Sequence, residues 1–387
     1  MQIKNELKES MTEISTKSTA NLYIGLMSGT SMDGIDAALI DLESNQFIAG
    51  ITRPYSENAR CFLERVLRDE LHTLKTFSQL NTILGREFAQ AVFELMDKVH
   101  IPKTHIKSIG SHGQTLCHDA AADIPYTIQL GCPHTIAELT GMTVVADFRT
   151  RDLVVGGQGA PFAPIYHQAL FKDYNLPLAV VNIGGIANLT YLAEESRVHG
   201  YDIGPGNCLM DFWIKQHLGY DYDSNGDWAV SGHVIEPLLE SLLQDPFFKK
   251  SKPKSIGKEY FSNTWLENYL QPEYSSADIQ ATLLMLTAKS IAEAIRSEEH
   301  LPKHLMICGG GAHNQALLRA LGEELPNVIV KSTGDFDISP DFIEASMFAW
   351  LAEKTLTNTP LDMSQITGAK RLTILGTIYP AGIDKGN

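Results

Sequence analysis

One short pattern occurs twice in this chain of 387 residues: an apolar strand, a turn containing glycine, and a second apolar strand. The first copy is LYIGLMSGTSMDGIDAALIDL, starting at Leu22, and the second is LAVVNIGGIANLTYL, starting at Leu178. Apolar segments joined by such turns predict β-hairpins. Because the two hairpins occupy corresponding positions in two halves of the chain, they indicate an ancient duplication.

Helical patterns alternate with these strands, which predicts an α/β fold. Apolar residues recur at intervals of three and four across residues 59–99, and a short strand, IKSIGSHG, follows. A long amphipathic helix is expected at about 277–298, with Ser275 or Ser276 as its N-cap. The segment LMICGGGAHNQALLRAL then predicts a buried strand, a triple-glycine turn and another helix.

Two domains are expected, because the chain is long enough and apolar enough to build two cores. The segment VVADFRTRDLVVGGQGAPFAP is rich in glycine and proline, which suits a connection between lobes better than a core element. We expect an N-terminal lobe of residues 21–150 plus about 365–387, and a C-terminal lobe of residues 151–364. Residues 1–20 mix charges and hydroxyls and are expected to form a flexible tail.

The excess of acidic residues limits the partners of this protein. Forty-six Asp and Glu against 31 Lys and Arg give a formal charge of -15, which repels nucleic acids and anionic membrane surfaces. No uncharged apolar stretch approaches the ~20 residues that span a bilayer, and the first twenty residues contain no run of signal-peptide type. Five scattered cysteines suit reduced thiols. We therefore expect a soluble cytoplasmic protein without nucleic-acid or membrane partners.

The first glycine turn, MSGTSMDGID, has the composition of a phosphate-binding loop. Glycines let backbone N–H groups approach phosphate oxygens without obstruction by Cβ, and Asp33 or Asp36 could hold Mg²⁺ directly or through water. The alternative is an ordinary hairpin turn. The residues predicted to bind the nucleotide here are Gly29, Thr30, Ser31, Met32, Asp33, Gly34, Ile35 and Asp36.

Two further glycine turns extend this prediction. Gly184 and Gly185 could hold the opposite side of a polyphosphate, although a tight hairpin, taken in isolation, explains them better. In CGGGAHN, three glycines between a strand and a helix let a ligand lie against the backbone, which assigns nucleotide contacts to Gly309, Gly310, Gly311 and Asn314. The spacings of the dinucleotide fingerprint and of the P-loop are both absent, which argues against those two classes.

A polar constellation supplies candidates for chemistry. In HGYDIGPGN, Asp202 is framed by glycines that let a substrate come close, so it suits a catalytic base, or else it satisfies its own loop as an Asx-turn residue. A zinc site is disfavoured, because the spacing of the nearby Cys and His residues matches no zinc motif, and His112 suits contact with a sugar hydroxyl better. The Cys and His residues concerned are His112, Cys117, His118, Cys132 and His134.

Seven motifs, taken in order, resemble the anhydro-N-acetylmuramic acid kinases, a branch of the sugar kinase, Hsp70 and actin superfamily. They cover most of residues 22–380 and read MSGTSMDGID, GSHGQT, ADFRTRDLVVGGQGAP, VNIGGIANLT, YDIGPGNCLMD, CGGGAHN and IEASMFAWLA. The resemblance implies a two-lobed, actin-like fold of ribonuclease H type, with ATP and Mg²⁺ bound in a cleft between the lobes. It offers no role for the residues before Leu22.

The resemblance also implies a reaction. Water opens the 1,6-anhydro ring of 1,6-anhydro-N-acetylmuramic acid while ATP phosphorylates O6, which gives N-acetylmuramic acid 6-phosphate for cell-wall recycling. Asp202 matches the base, and Glu344, in a helix expected to start near Asp341, matches a second acidic residue facing the sugar. That glutamate would also be favoured by the helix dipole alone. Predicted sugar-binding residues are His112, Gln114, Arg149, Gly204 and Asn207, with Arg151 as the alternative to Arg149 for the lactyl carboxylate.

Two rival functions remain open at this stage. A kinase of the same superfamily could act on an ordinary hexose, with Asp202 deprotonating the sugar instead of water. A chaperone or regulator could use ATP only to change shape, but it would need a peptide groove or a DNA-binding segment, and the sequence contains neither a helix-turn-helix pattern nor a basic patch. The expected partner is a small sugar, and a homodimer is left open.

Overall fold

In this computed structural model, the described residues are 21–29, 34–68, 73–194, 197–252, 254–257 and 260–382. The tail expected at residues 1–20 therefore lies outside them. The chain forms two compact units. The first comprises the described residues up to Phe162 and those from Glu344 onward, and the second is Ala163–Ile343. Helix Ile343–Leu356, expected in the second lobe, falls almost wholly within the first unit.

The first unit contains a seven-stranded sheet with the order β12-β6-β4-β1-β2-β3, and β5 pairs with β4. The strands are β1 (Leu22–Ser28), β2 (Ile35–Asp41), β3 (Gln46–Arg53), β4 (Ile106–Asp119), β5 (Tyr126–Leu130), β6 (Val144–Ala146) and β12 (Thr377–Tyr379). The helices are α1 (Glu57–Leu67), α2 (Leu74–Val99), α3 (Pro133–Thr140), α4 (Phe148–Val154) and α12 (Ile343–Leu356), with a 3₁₀ turn at Lys103–His105.

The second unit contains a five-stranded sheet with the order β11-β10-β7-β8-β9. The strands are β7 (Leu178–Ile183), β8 (Ile186–Leu192), β9 (Val198–Pro205), β10 (His304–Cys308) and β11 (Ile329–Ser332). The helices are α5 (Ala163–Leu170), α6 (Cys208–Leu218), α7 (Asp227–Ser231), α8 (Glu236–Leu243), α9 (Asn263–Glu267), α10 (Ser276–Arg296) and α11 (Gln315–Glu324). Shorter 3₁₀ turns are Ser224–Gly226, Gly310–His313 and Thr333–Phe336.

The two sheets share one topology. Each begins with three consecutive antiparallel strands, β1–β3 or β7–β9. The first strand of each set then pairs in parallel with a later strand, β4 or β10, which pairs in parallel with another, β6 or β11. Each unit has its own apolar cluster. This repeated order confirms the predicted α/β fold of duplicated ribonuclease H type.

Several sequence predictions agree with the structure in detail. Both predicted hairpins are antiparallel pairs. Helix α10 begins at Ser276, and the Ser275 side chain caps it by accepting from the N–H of Asp278. The strand, glycine turn and helix of CGGGAHN are also present, with a 3₁₀ turn inserted between the glycines and the helix.

Three expectations needed correction. The helical region 59–99 is two helices, and the short strand IKSIGSHG is the first part of the 14-residue β4. The prediction that residues 144–164 form only a connection was wrong, because Val144–Ala146 is a buried strand and Phe148–Val154 a helix. Glycine and proline are concentrated after Val155, so the composition of the whole segment obscured the apolar strand at its start.

Among the helices that the structure describes, none combines the length and apolar composition needed to cross a bilayer.

Candidate active site

The turn between β1 and β2 is braced from within the first unit. The Gln114 amide donates to the carbonyl oxygen of Gly29 over 3.2 Å. The hydroxyl oxygen of Ser28 lies 2.8 Å from Gln114 Oε1 and 2.8 Å from the Gly34 carbonyl oxygen, and the Tyr55 hydroxyl donates to it over 2.9 Å. Gln114, predicted to bind sugar, thus contacts the first end of the turn, and Ser28 links that end to Gly34. The predicted Thr30, Ser31, Met32 and Asp33 lie outside the described residues.

Arg149 and His112 form a buried pair in the same unit. Arg149 Nε donates to His112 Nε2 over 3.0 Å, and Nη1 donates to the carbonyl oxygen of Gly159 over 2.7 Å. His112 Nδ1 lies 2.9 Å from the Gly113 carbonyl oxygen, so this ring nitrogen carries the proton. Burial and the Arg149 charge hold the pKa of His112 well below its usual range. His112 is therefore neutral and orients the guanidinium group.

Glu344 completes an electrostatic cluster with Arg149 and Asp36. Burial and the charge of Asp36 raise the pKa of Glu344, while Arg149 opposes this shift. Burial lowers the pKa of Arg149 to about 10, against the pull of Glu344 and Asp152. Asp36 itself accepts a hydrogen bond from Thr52 Oγ1 over 2.6 Å. Four predicted residues, Asp36, His112, Arg149 and Glu344, thus belong to one interacting group.

Helix α12 begins at Ile343, two residues after the expected start near Asp341. Glu344 lies in its first turn. The helix lies directly on the sheet at two glycines: a Cβ added at Gly25 would overlap the carbonyl oxygen of Ala345, and one at Gly110 would overlap that of Phe348. Such close approach requires glycine. The sheet therefore fixes the position of Glu344, which also gains from the helix dipole.

The alternative arginine has different surroundings. Arg151 is exposed, and its Nη1 donates to the carbonyl oxygen of Ile374 over 3.1 Å. Arg149 lies in the group with His112 and Glu344, 5.3 Å from the Phe162 ring centre. The geometry therefore favours Arg149 for binding a carboxylate.

In the second unit, the turn between β7 and β8 is tied to the start of α6. The N–H groups of Asn207 and Gly206 donate to the carbonyl oxygens of Gly184 and Gly185 over 2.8 and 2.9 Å, and the Asn207 amide donates to that of Ile183 over 3.0 Å. A Cβ added at Gly184 or Gly185 would meet one atom, at 3.8 Å. The space beside both glycines is therefore open to a ligand.

The triple-glycine turn lies against the same end of β7. Gly309 has φ +74°, and an added Cβ would overlap Asn182 Oδ1, while one at Gly311 would overlap the Ile183 side chain. Both contacts explain why glycine is needed there. Asn314 caps α11, because its Oδ1 accepts from the N–H of Leu317 over 3.0 Å.

A cavity of about 390 Å³ opens beside these turns. It brings together the predicted Asn207, Gly310 and Asn314, but Asn207 had been assigned to the sugar. Residues that the sequence prediction missed complete the lining: Met210, Asp211, Tyr222, Asp223, Ser224, Asn225 and His313. Met210, Asp211 and His313 lie in the motifs YDIGPGNCLMD and CGGGAHN, and the other four lie in the polar turn DYDSNGD, which composition alone marks as a loop.

Asp202 lies within strand β9, where residues far away in the chain hold it. Its Oδ2 accepts from the N–H of Ile256 over 2.9 Å and from Ser255 Oγ over 3.1 Å, and its own N–H donates to the carbonyl oxygen of Lys254 over 2.9 Å. Burial raises the pKa of Asp202, against those two donors and the Lys254 charge. No described residue donates to Oδ1. Asp202 is thus not an Asx-turn residue satisfied by its own loop.

Two other predicted positions have mainly structural surroundings. Gly204 is buried against Phe248, whose Cε1 would lie 2.8 Å from an added Cβ. Ile35 is a core residue of the first unit. Within the described residues, no group of three or more His, Cys, Asp or Glu side chains could hold a metal ion. Asp33, the predicted magnesium residue, lies outside that set.

The fold and the two glycine hairpins together define a duplicated, actin-like α/β fold of ribonuclease H type. Residues 21–381 match the family model described as anhydro-N-acetylmuramic acid kinase. The chain therefore belongs to the anhydro-N-acetylmuramic acid kinase family.

Relatives and solved structures were also compared. Proteins named anhydro-N-acetylmuramic acid kinase from Legionella pneumophila (strain Paris) and Xylella fastidiosa are 59% and 45% identical. The alignments cover 93% and 94% of this chain and 98% and 97% of those proteins. Among solved structures, the activator of the 2-hydroxyisocaproyl-CoA dehydratase from Clostridium difficile aligns with 12% identity and a TM-score of 0.45, over 88% of this chain and 98% of that one.

Proposed function

We propose that this protein uses ATP to open the 1,6-anhydro ring of 1,6-anhydro-N-acetylmuramic acid with water and to phosphorylate O6. The products are N-acetylmuramic acid 6-phosphate and ADP, and the role is in cell-wall recycling. Family membership supplies the substrate. The single observation that supports this chemistry is the state of the Asp202 carboxylate. Its Oδ2 accepts a hydrogen bond from the N–H of Ile256, and its pKa is raised.

Asp202 acts as the base that activates water. Ile256 and Ser255 fix Oδ2, which leaves Oδ1 to take a proton from a water molecule attacking the anomeric carbon. A raised pKa makes the carboxylate a stronger base. Inverting glycosidases place a carboxylate in this way, opposite the leaving oxygen. Because O6 leaves as it becomes phosphorylated, a second carboxyl is not needed as the acid.

Arg149 binds the lactyl carboxylate of the sugar. A guanidinium group offers five donors in a planar fork that suits bidentate contact with a carboxylate. The bonds to His112 and Gly159 use two of its N–H groups and orient the others. Glu344, whose ionised form is disfavoured by burial and by Asp36, accepts from or donates to a sugar hydroxyl.

The second unit holds the nucleotide. Open space beside Gly184 and Gly185 fits phosphates, and the cavity beside Asn207, Gly310 and Asn314 has the volume of a small-molecule site. When bound, ATP supplies the phosphoryl group, and Mg²⁺ offsets the charge of the phosphates. Asp33 would hold the metal, directly or through water. Backbone N–H groups and alignment of the reacting groups supply the rest of the catalysis.

A labelled-water experiment tests this function against its rivals. Full-length protein is incubated with ATP, Mg²⁺ and the anhydro sugar in ¹⁸O-water, and the product is weighed by mass spectrometry. We expect a product that gains one phosphoryl group and one ¹⁸O-labelled water. A phosphorylated product without the label would instead indicate an ordinary hydroxyl kinase, and the absence of any product would support the ATP-driven regulator.

A further inference from the structure

A second cavity in the second unit, of about 710 Å³, is lined by five basic side chains. It lies between strand β9, the segment after α8, and the C-terminal half of α10. The basic residues are Lys250, Lys252, Lys254, Lys289 and Arg296, and the apolar lining includes Tyr201, Ile203, Leu243 and Phe248. The lining also includes Glu293 and Glu324, so basic side chains outnumber acidic ones by five to two in a chain of formal charge -15. Three of them, Lys250, Lys252 and Lys254, lie within five positions of the sequence, and the fold adds Lys289 and Arg296 from α10.

Two of these lysines form no salt bridge with a described carboxylate. Lys252 pairs with Glu298 at 2.7 Å and Arg296 with Glu324 at 3.0 Å. Lys289 lies 3.8 Å from Glu236. Within the described part of the chain, Lys250 and Lys254 have no carboxylate oxygen within the 4.0 Å of a salt bridge. Among the described residues, neither lysine is therefore held in a salt bridge, although the charge of Asp202 acts on Lys254 from a greater distance.

Among these residues, Lys254 shows the effect of the neighbouring positive charges on its pKa. Its ammonium group lies 3.3 and 3.4 Å from the carbonyl oxygens of Phe247 and Phe248 and 4.4 Å from the Phe247 ring centre. Burial lowers its pKa, and repulsion from Lys252 and Lys250 lowers it further, while the charge of Asp202 opposes the shift. A bound anion would relieve this repulsion.

We propose that this cavity binds a small phosphomonoester, of the size of a sugar phosphate, at a site separate from the ATP site. Lysine ammonium groups bind phosphate as point charges, and the aromatic and aliphatic lining suits the carbon skeleton of the ligand. The volume is that of a small-molecule site. A small ligand is favoured over a nucleic acid, because the overall negative charge repels long polyanions.

The site is connected to the proposed base. The carbonyl oxygen of Lys254 accepts from the N–H of Asp202, and the next two residues, Ser255 and Ile256, donate to the Asp202 carboxylate. An anion bound by Lys250 and Lys254 therefore contacts the segment that positions Asp202. Binding is expected to change kcat.

Calorimetry on the full-length protein tests the binding, with glucose 6-phosphate as the probe, glucose as the uncharged control and ADP present to occupy the nucleotide site. We expect glucose 6-phosphate to bind and glucose not to bind. The double variant Lys250→Met and Lys254→Met should weaken binding at least tenfold. The control variant, Lys249→Met and Lys303→Met, removes the same charge from exposed positions outside the cavity and should bind as the parent does.

Three outcomes would overturn the proposal: no binding of glucose 6-phosphate by the parent protein, equal binding by the double variant, or equal weakening in the control variant. If the double variant does not fold, Lys250→Glu replaces it, because this exposed side chain can be reversed in charge without disturbing the core. In kinetics, glucose 6-phosphate should change kcat in the parent and control proteins, each relative to its own rate without ligand, and not in the cavity variant. The calorimetric result does not depend on the proposed reaction.

Discussion

At the scale of single residues, Asp202 combines a fixed orientation with an oxygen, Oδ1, to which no described residue donates. If it is the base, Asp202→Asn should lower kcat by about 10²- to 10⁴-fold, since general bases contribute on that order. The affinity for ATP, measured by calorimetry, should stay within about twofold, because Asp202 is absent from the lining of the cavity beside Asn207 and Asn314. A kcat close to that of the parent protein would remove Asp202 from this role.

A variant of Ser255 tests the role of Asp202 through the pH dependence of kcat/KM. Its hydroxyl stabilises the ionised form of Asp202, so Ser255→Ala should raise the pKa of Asp202 further. Since the ionised carboxylate is the active form, the rate falls as pH drops through this pKa, and in Ser255→Ala the fall should begin at a higher pH. An acid limb of kcat/KM that does not move would argue against Asp202 as the titrating group.

Alanine variants of Arg149 and Arg151 provide a test and its control for sugar binding. Arg149→Ala should raise KM for the anhydro sugar by tenfold or more, because a charge-assisted bidentate contact is lost, and should change KM for ATP little. Arg151→Ala should change both KM values little, because this exposed side chain bonds only a backbone carbonyl. Reversed effects in the two variants would assign the lactyl carboxylate to Arg151.

At the scale of elements, helix α12 shows how a remote sheet positions a functional side chain. Gly25 in β1 and Gly110 in β4 let the helix backbone lie directly on the sheet. These glycines are more than 230 positions from Ala345 and Phe348 in the chain, so no local pattern relates them. A sequence pattern can predict a helix with Glu344 in its first turn, but not the surface on which that helix lies.

The same distinction explains which parts of the site were predictable. Turns and caps depend on neighbouring residues, so the glycine hairpins and the Ser275 cap followed from the sequence. The donors to Asp202 are 53 and 54 positions away and come from a segment without strand or helix pattern. Tertiary contacts of this kind, like the cavity lined by Tyr222 and Asn225, require the fold itself.

At the scale of the whole molecule, each unit contains a carboxylate held by several donors. In the first unit, Glu87 bonds to Arg53 and Ser56, and these contacts lower its pKa against the effect of burial. In the second, Glu298 accepts from Tyr201 at 2.7 Å and Lys252 at 2.7 Å, and lies 2.9 Å from His199 Nε2. Both groups make the stability of their unit depend on pH.

The pKa of Glu298 sets the pH range over which the stability of the second unit changes. Although burial opposes the shift, its donors lower the pKa from 4.5 to about 2. A group whose pKa is lower in the folded state stabilises the fold above its unfolded pKa, and this contribution is lost as pH falls from about 4.5 towards 2. Glu298→Gln should therefore lower stability at pH 7 by about 2 kcal/mol, the order expected for lost bonds to a charged group. The difference from the parent should shrink through that window.

Thermal unfolding midpoints of parent and variant, measured at steps from pH 7 to pH 2.5, test this expectation. Glu299→Gln is the matched control, because Glu299 is the next residue and pairs with Arg197 at 3.1 Å while 60% of its side chain is exposed, against 5% for Glu298. An exposed ion pair contributes about 0 to 1 kcal/mol, so this variant should unfold close to the parent at every pH. A constant offset for Glu298→Gln between pH 7 and pH 2.5 would show that its charge does not supply the stability, since only an ionised group loses its contribution on protonation.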